Sequence, residues 1–202
     1  MDPTSERPNI VVAISGASGA IYGIRALELL ADAGICTHLI VSRSARTTIA
    51  LETERKLSDV EHLADVVYSN EDLGAACSSG SFRNLGVLVA PCSIKTMSEI
   101  ATGVTSHLIS RAADVALKER RRVVLMVRET PLHLGHLRSM AAVTEAGAIV
   151  YPPVPAFYTK PESLADLIDH TVGRALDLFG IDTGMVKRWS GTKAAKAETP
   201  RS

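Results

Sequence analysis

Three short stretches of this 202-residue chain combine anion-binding side chains with the backbone setting that anion binding needs. The first, Ser15-Gly16-Ala17-Ser18-Gly19, lies between a β-branched apolar run and an amphipathic stretch. Its N–H groups and the Ser18 hydroxyl therefore meet the positive end of a helix, a setting suited to a phosphate. Gly16, Gly19 and Gly23 are spaced G-x-x-G-x-x-x-G. The dinucleotide fingerprint fails at Ser18, and Ser42-Arg43 stands where an acid would grip a ribose hydroxyl, so NAD is disfavoured. A tight turn without a ligand is the plain alternative. The second stretch, Pro91-Cys92-Ser93-Ile94-Lys95-Thr96, puts Ser93 at a helix N-cap. Lys95 falls in the first turn, which the dipole disfavours, and so suggests an anion or an electron-rich ring nearby. The third, Val127-Arg128-Glu129-Thr130-Pro131, leaves an apolar run directly into an arginine suited to phosphate or carboxylate. The adjacent acid becomes a proton donor if burial raises its pKa. An exposed salt-bridged corner is the alternative here. Arg111 and Lys118, seven residues apart, share a helical face. Cys92 has no local His to activate it and reads as a buried thiol. His133 and His136 form H-x-x-H, but without an intervening Glu or a further ligand at metal spacing they make a weak zinc site.

These stretches need elements to hold them. Strand-like runs cover Asn9 to Ile14, Cys36 to Val41, Leu85 to Ala90, Val123 to Val127 and Ala148 to Tyr151. Helical patterns cover Ala20 to Ala33, Arg43 to Thr53, Ser93 to Thr102, Ser106 to Arg121, Leu134 to Ala146 and Glu162 to Leu178. Near-continuous apolar strands alternating with helices predict a parallel sheet covered on both faces, with ligands at the carboxyl ends of the strands. Tyr151 to Tyr158, with three prolines, is a stiff extended loop. One domain over residues 8–189 is expected, with flexible tails at 1–7 and 190–202.

Composition narrows the chemistry. Lys plus Arg and Asp plus Glu are both 22, so the net charge is zero and a nucleic acid or an anionic membrane is an unlikely main partner. Hydrophobic residues at 46% can supply a sizeable core, while eight aromatics leave packing to aliphatic side chains. Three cysteines without C-x-x-C spacing, a polar start and no long apolar run point to a cytoplasmic protein.

Six separated motifs, in order, resemble those of the UbiX-type flavin prenyltransferases. They are Ser15 to Gly23, Ser79-Gly-Ser-Phe82, Ala90 to Thr96, Arg111 to Val115, Val127 to Arg138 and Pro152 to Tyr158, and the resemblance runs from Pro8 to Trp189. It implies a flavodoxin-like (Rossmann-like) three-layer α/β/α fold with a mostly parallel sheet in a single domain. It implies transfer of a dimethylallyl group from dimethylallyl phosphate to N5 and C6 of reduced FMN, without a metal, with delivery of the product to a UbiD-type decarboxylase. By the same resemblance Gly16, Ala17, Ser18, Ser42, Ser93, Ile94, Lys95, Thr96 and Arg128 hold FMN, with Ser18 near N5, and Glu52 assists proton movement there. Lys118, Arg128, Glu129, Tyr158 and Arg174 match the cradle of the prenyl phosphate, with Arg111 beside it, and Trp189 matches an aromatic near the flavin and the allyl group. Glu129 is the expected proton donor to the leaving phosphate. The family assembles as homododecamers built from trimers, with sites at subunit junctions. Ser106-His107 and Ser139 depart from the residues many relatives carry. Two other readings are a flavin-dependent decarboxylase of the cysteine-decarboxylase type and a non-catalytic flavin carrier.

Overall fold

The computed structural model describes residues 7–189 and 191. Its elements follow in the order β1 (Asn9–Ile14), α1 (Ala20–Asp32), β2 (Cys36–Val41), α2 (Arg43–Glu52), α3 (Leu57–Glu61), β3 (Val66–Ser69), β4 (Gly86–Cys92), α4 (Ile94–Thr102), α5 (Leu108–Lys118), β5 (Arg122–Val127), α6 (Leu134–Glu145), β6 (Ile149–Val150) and α7 (Leu164–Asp177). The six strands form one sheet in the order β3-β2-β1-β4-β5-β6, and every pairing is parallel.

Strand alternation sorts the core into two halves. Ile10, Val12 and Ile14 of β1 face α1, α2 and α7, whereas Val11 and Ala13 face the side covered by α4 and α5. Both faces are buried, which is why the central strands read as unbroken apolar runs. Close packing sets one local requirement. A Cβ at Gly23 in α1 would lie 2.2 Å from the Ala90 carbonyl oxygen, so only glycine lets this helix approach β4. The order of strands reverses between β1 and β4, and this is where an open parallel sheet forms a crevice at its carboxyl edge.

The structure differs from the sequence expectation at several boundaries. β4 continues through Pro91 to Cys92, with a register shift against β5 between Val89 and Cys92, so this stretch enters the crevice as strand. The helix expected from Ser106 begins at Leu108 and ends at Lys118. Neither α3 nor β3 was expected: α3 has five residues, and β3 is a four-residue edge strand with alternating exposure. The expected tails lie outside the described residues apart from Arg7, which pairs with Asp65, and Gly191. Among the described residues no helix is long and apolar enough to cross a membrane.

Candidate active site

The crevice is built by one buried hydroxyl. Ser15, 1% exposed at the end of β1, donates from Oγ to the Pro91 carbonyl at 2.9 Å and accepts from the Ser93 N–H at 2.7 Å. A backbone bond from Ser15 to the Pro91 carbonyl and one from Arg128 to the Cys92 carbonyl tie the ends of β1, β4 and β5 together. The loop Gly16 to Gly19, the start of α4 and Arg128 are thereby held around one opening. Gly16 is required there, because a Cβ would lie 2.1 Å from the Ser44 Oγ. The sequence reading placed Ser15 in this loop but gave it no role; its signal is a polar residue closing an otherwise apolar strand.

The N-terminus of α1 meets an anion, although not the expected one. Gly19, the N-cap with φ of 100°, offers no side chain to cap its own helix. The Glu52 carboxylate caps it instead: Oε2 accepts from the Gly19 N–H at 2.7 Å and the Ala20 N–H at 3.1 Å. The first-turn donors read as a phosphate site are therefore engaged by the protein's own acid. Burial works against the charge on Glu52. The Ser18 hydroxyl and the two N–H groups, with Arg128 nearby, outweigh it and hold the carboxyl below the ordinary glutamate value. Glu52 is thus ionised at neutral pH, an acceptor rather than a donor. The Arg128 charge also reaches Tyr22, whose hydroxyl burial pushes above its ordinary pKa. Tyr22 had no place in the sequence reading.

Beside this loop, Ser42 caps α2 by accepting from the Ala45 N–H at 3.1 Å, and Ser93 caps α4 by accepting from the Thr96 N–H at 3.3 Å. The two helix starts converge on a polar pit of about 30 Å³ that Lys95, Thr96, Glu99 and His107 also line. Ile94 opens α4 at the same place. Lys95 is 74% exposed and lies 3.8 Å from Glu99, one turn on. Cys92 is fully buried, and burial pushes its thiol far above the ordinary value, in keeping with a structural role. His133 accepts the Gly135 N–H at 3.0 Å and stacks on His136 with centroids 3.6 Å apart. Among the described residues no group of three His, Cys, Asp or Glu side chains is placed to hold a metal ion.

Of the residues expected to cradle the prenyl phosphate, Arg128 opens on this crevice, while Tyr158, Arg174, Lys118 and Arg111 lie elsewhere. Tyr158, Arg174 and Trp189 line a separate cavity of about 250 Å³ together with Lys187 and Arg188, and it has no lining residue in common with the pit. Tyr158 meets Trp189 edge to face at 6.1 Å, and its hydroxyl lies 3.3 Å from His170 Nε2. Burial and the Arg174 charge lower the His170 pKa, which leaves that ring neutral. Lys118 ends α5 at the opposite, amino edge of the sheet, beside Gly80 of the Ser79 to Phe82 motif. Arg121 fixes that motif by donating to the Gly80 and Phe82 carbonyls at 2.7 and 2.5 Å. Arg122 to Arg128 spans the length of β5, roughly 20 Å at strand rise, and that length separates Lys118 from Arg128. Arg111 projects from the outer face of α5 and pairs with Asp114 at 3.0 Å. Glu129 is exposed, so its own chain does not supply the burial that a proton donor needs. One chain thus brings together the residues expected to hold FMN and leaves most of those expected to cradle the prenyl phosphate in separate places.

A flavoprotein family model matches residues 2–176. A flavin prenyltransferase UbiX of Thauera aromatica is 54% identical over 184 residues, 91% of this chain and 95% of its own length. The fold matches a crystal structure of AnUbiX (PadA1) in complex with FMN and dimethylallyl pyrophosphate with a TM-score of 0.91 and 54% identity, over 92% of this chain and 99% of that one. It also matches a dodecameric FMN-dependent UbiX-like decarboxylase from Escherichia coli O157:H7 with a TM-score of 0.88 and 44% identity, over 91% of this chain and all of that one.

Proposed function

Because the chain belongs to the flavoprotein family, within it to the UbiX-type flavin prenyltransferases, we propose that it joins the dimethylallyl group of dimethylallyl phosphate to N5 and C6 of reduced FMN. One observation carries the reading: Ser18, Glu52, Ser93 and Arg128 converge on a crevice at the switch point of the sheet. The crevice suits FMN. Gly16 and Ala17 would hold FMN from the loop through backbone groups, and Ser42, Ser93, Ile94, Lys95 and Thr96 would hold it from the starts of α2 and α4. Reduced FMN supplies the electron-rich positions that take the allyl group. With FMN bound in the crevice, the ionised Glu52 carboxylate, held by the Ser18 hydroxyl, would be available to accept a proton from the flavin.

Breaking the allylic C–O bond sends its electron pair to the phosphate oxygen, so donors and cations must face the phosphate and a dry aromatic wall must face the allyl group. Arg174, Lys118, Arg111 and Arg128 serve the first need, and Tyr158 and Trp189 the second through their ring faces. Glu129, once covered, protonates the departing phosphate. A monophosphate carries less charge than a diphosphate, and these cations meet it without a metal. Separation of the clusters within one chain fits a site completed by neighbouring subunits of a homododecamer built from trimers. The protein acts in the cytoplasm and passes its product to a UbiD-type decarboxylase.

Incubation with reduced FMN and dimethylallyl phosphate should raise the flavin mass by one prenyl unit. An unchanged mass overturns the reading and leaves a cysteine-type decarboxylase or a flavin carrier.

A further inference from the structure

The aromatic cavity has a feature that the family resemblance does not assign. α7 ends on Asp177, where a carboxylate opposes the helix dipole, yet its side chain is only 11% exposed. Two arginines compensate for it. Arg174 donates from Nη1 to Oδ2 at 2.6 Å, and Arg188 donates from Nη1 to Oδ2 at 3.1 Å and from Nη2 to Oδ1 at 3.0 Å. Arg188 also reaches Asp182 at 3.3 Å. Both arginines line the cavity that holds Tyr158 and Trp189, and Trp189 directly follows Arg188. Between α7 and Trp189 the chain has no regular secondary structure, so side-chain contacts must locate it. Ile181 in the core and Thr183 and Val186 against Gly173 hold its first part, and its Trp189 end is held by the Arg188 fork on Asp177, a bond from Lys187 Nζ to the Thr159 carbonyl at 3.3 Å and the Tyr158–Trp189 ring pair.

We propose that Asp177 is a positioning residue for the prenyl donor: its carboxylate aims Arg174 and Arg188 into one cavity and seats Trp189 against Tyr158, which makes Arg188 a further phosphate-binding side chain. The inference rests on dimethylallyl phosphate entering this cavity. Without the carboxylate two guanidinium groups would face each other and move apart, taking the Trp189 segment with them. With it they stay in register, and a guanidinium has five N–H donors, so the one nitrogen that Arg174 gives Asp177 leaves others for a phosphate. The charged side chains that line the cavity, Arg174, Lys187 and Arg188, are all cations and attract a phosphate monoester.

The test compares Asp177→Asn, Asp177→Glu and the unaltered protein. Trp189 is the only tryptophan, so its emission reports the seating of this segment directly. In the FMN-free protein Asp177→Asn should shift that emission to the red and weaken its response to added dimethylallyl phosphate. In turnover the KM for dimethylallyl phosphate should rise about tenfold with kcat within about twofold, while FMN affinity, read by quenching of flavin fluorescence, stays unchanged. Asp177→Glu should recover part of both signals. Wild-type emission and KM in Asp177→Asn would overturn the proposal, as would equal losses of FMN affinity and thermal stability. If the unaltered protein does not prenylate FMN, the functional reading fails by itself, and the emission of the substrate-free proteins still decides the role of Asp177.

Discussion

The crevice at the end of β1 and the cavity at the end of α7 are built by different means. The crevice hangs on backbone groups and one hydroxyl that is 1% exposed, so its shape follows once the sheet forms. The cavity is lined by side chains at the protein surface: Trp189 is 69% exposed, Tyr158 53%, and the Arg188 side chain 55%. A ring-binding site demands fixed backbone and tolerates little displacement, which the carboxyl edge of a parallel sheet provides. A site for a small phosphate with an allyl tail must admit its substrate and then exclude water, and movable cations and rings suit that. On the proposed function, the flavin half would belong to the fold of one chain, and the donor half would be left for other parts of an assembly to finish.

The largest expected effect tests that division. Lys118→Ala and Arg128→Ala should each lower prenyl transfer at least a hundredfold, since each removes a cation from the phosphate. If Lys118 serves a neighbour's site, mixed oligomers assembled from the two inactive variants should regain about a quarter of the wild-type rate, because one site in four draws both intact residues. Absence of recovery in oligomers shown by mass to be mixed would place the whole site within one chain. Ser15→Ala is the next step down. It leaves the Ser93 N–H without its acceptor and should cost about 1–3 kcal/mol, visible by calorimetry as about 2–4 °C of Tm per kcal/mol. FMN affinity should fall with it. Arg188→Ala leaves Asp177 paired with Arg174 and removes a guanidinium that is itself half exposed, so it should lower Tm less than Ser15→Ala does. The reverse order of the two Tm shifts would break the comparison.

What the sequence disclosed follows the same division. β1, the glycine loop and α1 are readable because apolar runs change period across Gly16 and Gly19, and backbone geometry demands those residue types. The N-cap of Ser93 is readable for the same reason. Contacts between residues far apart in sequence are not. Nothing local in Glu52 points to Gly19, 33 positions away; only the family resemblance brought it to the flavin, and its grip on the helix start came from the structure. Asp177 and Arg188 are eleven apart with no periodic element between them, so their pairing left no trace in the pattern. β3 escaped because four alternating residues at a sheet edge bury too little to stand out from a loop.

The smallest expected effect concerns that grip. Glu52 ends α2, where the dipole disfavours its charge, and caps α1, where the dipole favours it. An amide in its place can still accept one N–H bond but brings no charge, so Glu52→Gln should cost about 0.5–1 kcal/mol at pH 7. Because the folded protein holds this carboxyl below its ordinary value, the advantage of the native residue is fully present above that value, about 4.3. It should shrink as the pH falls further and vanish once the pH is below the depressed value, where both forms are neutral. Denaturant unfolding of the two proteins across this range measures the difference directly. A gap that stays constant with pH would mean that Glu52 caps α1 by shape alone, and a gap that widens on acidification would mean that the carboxyl is held protonated and serves the flavin as an acid.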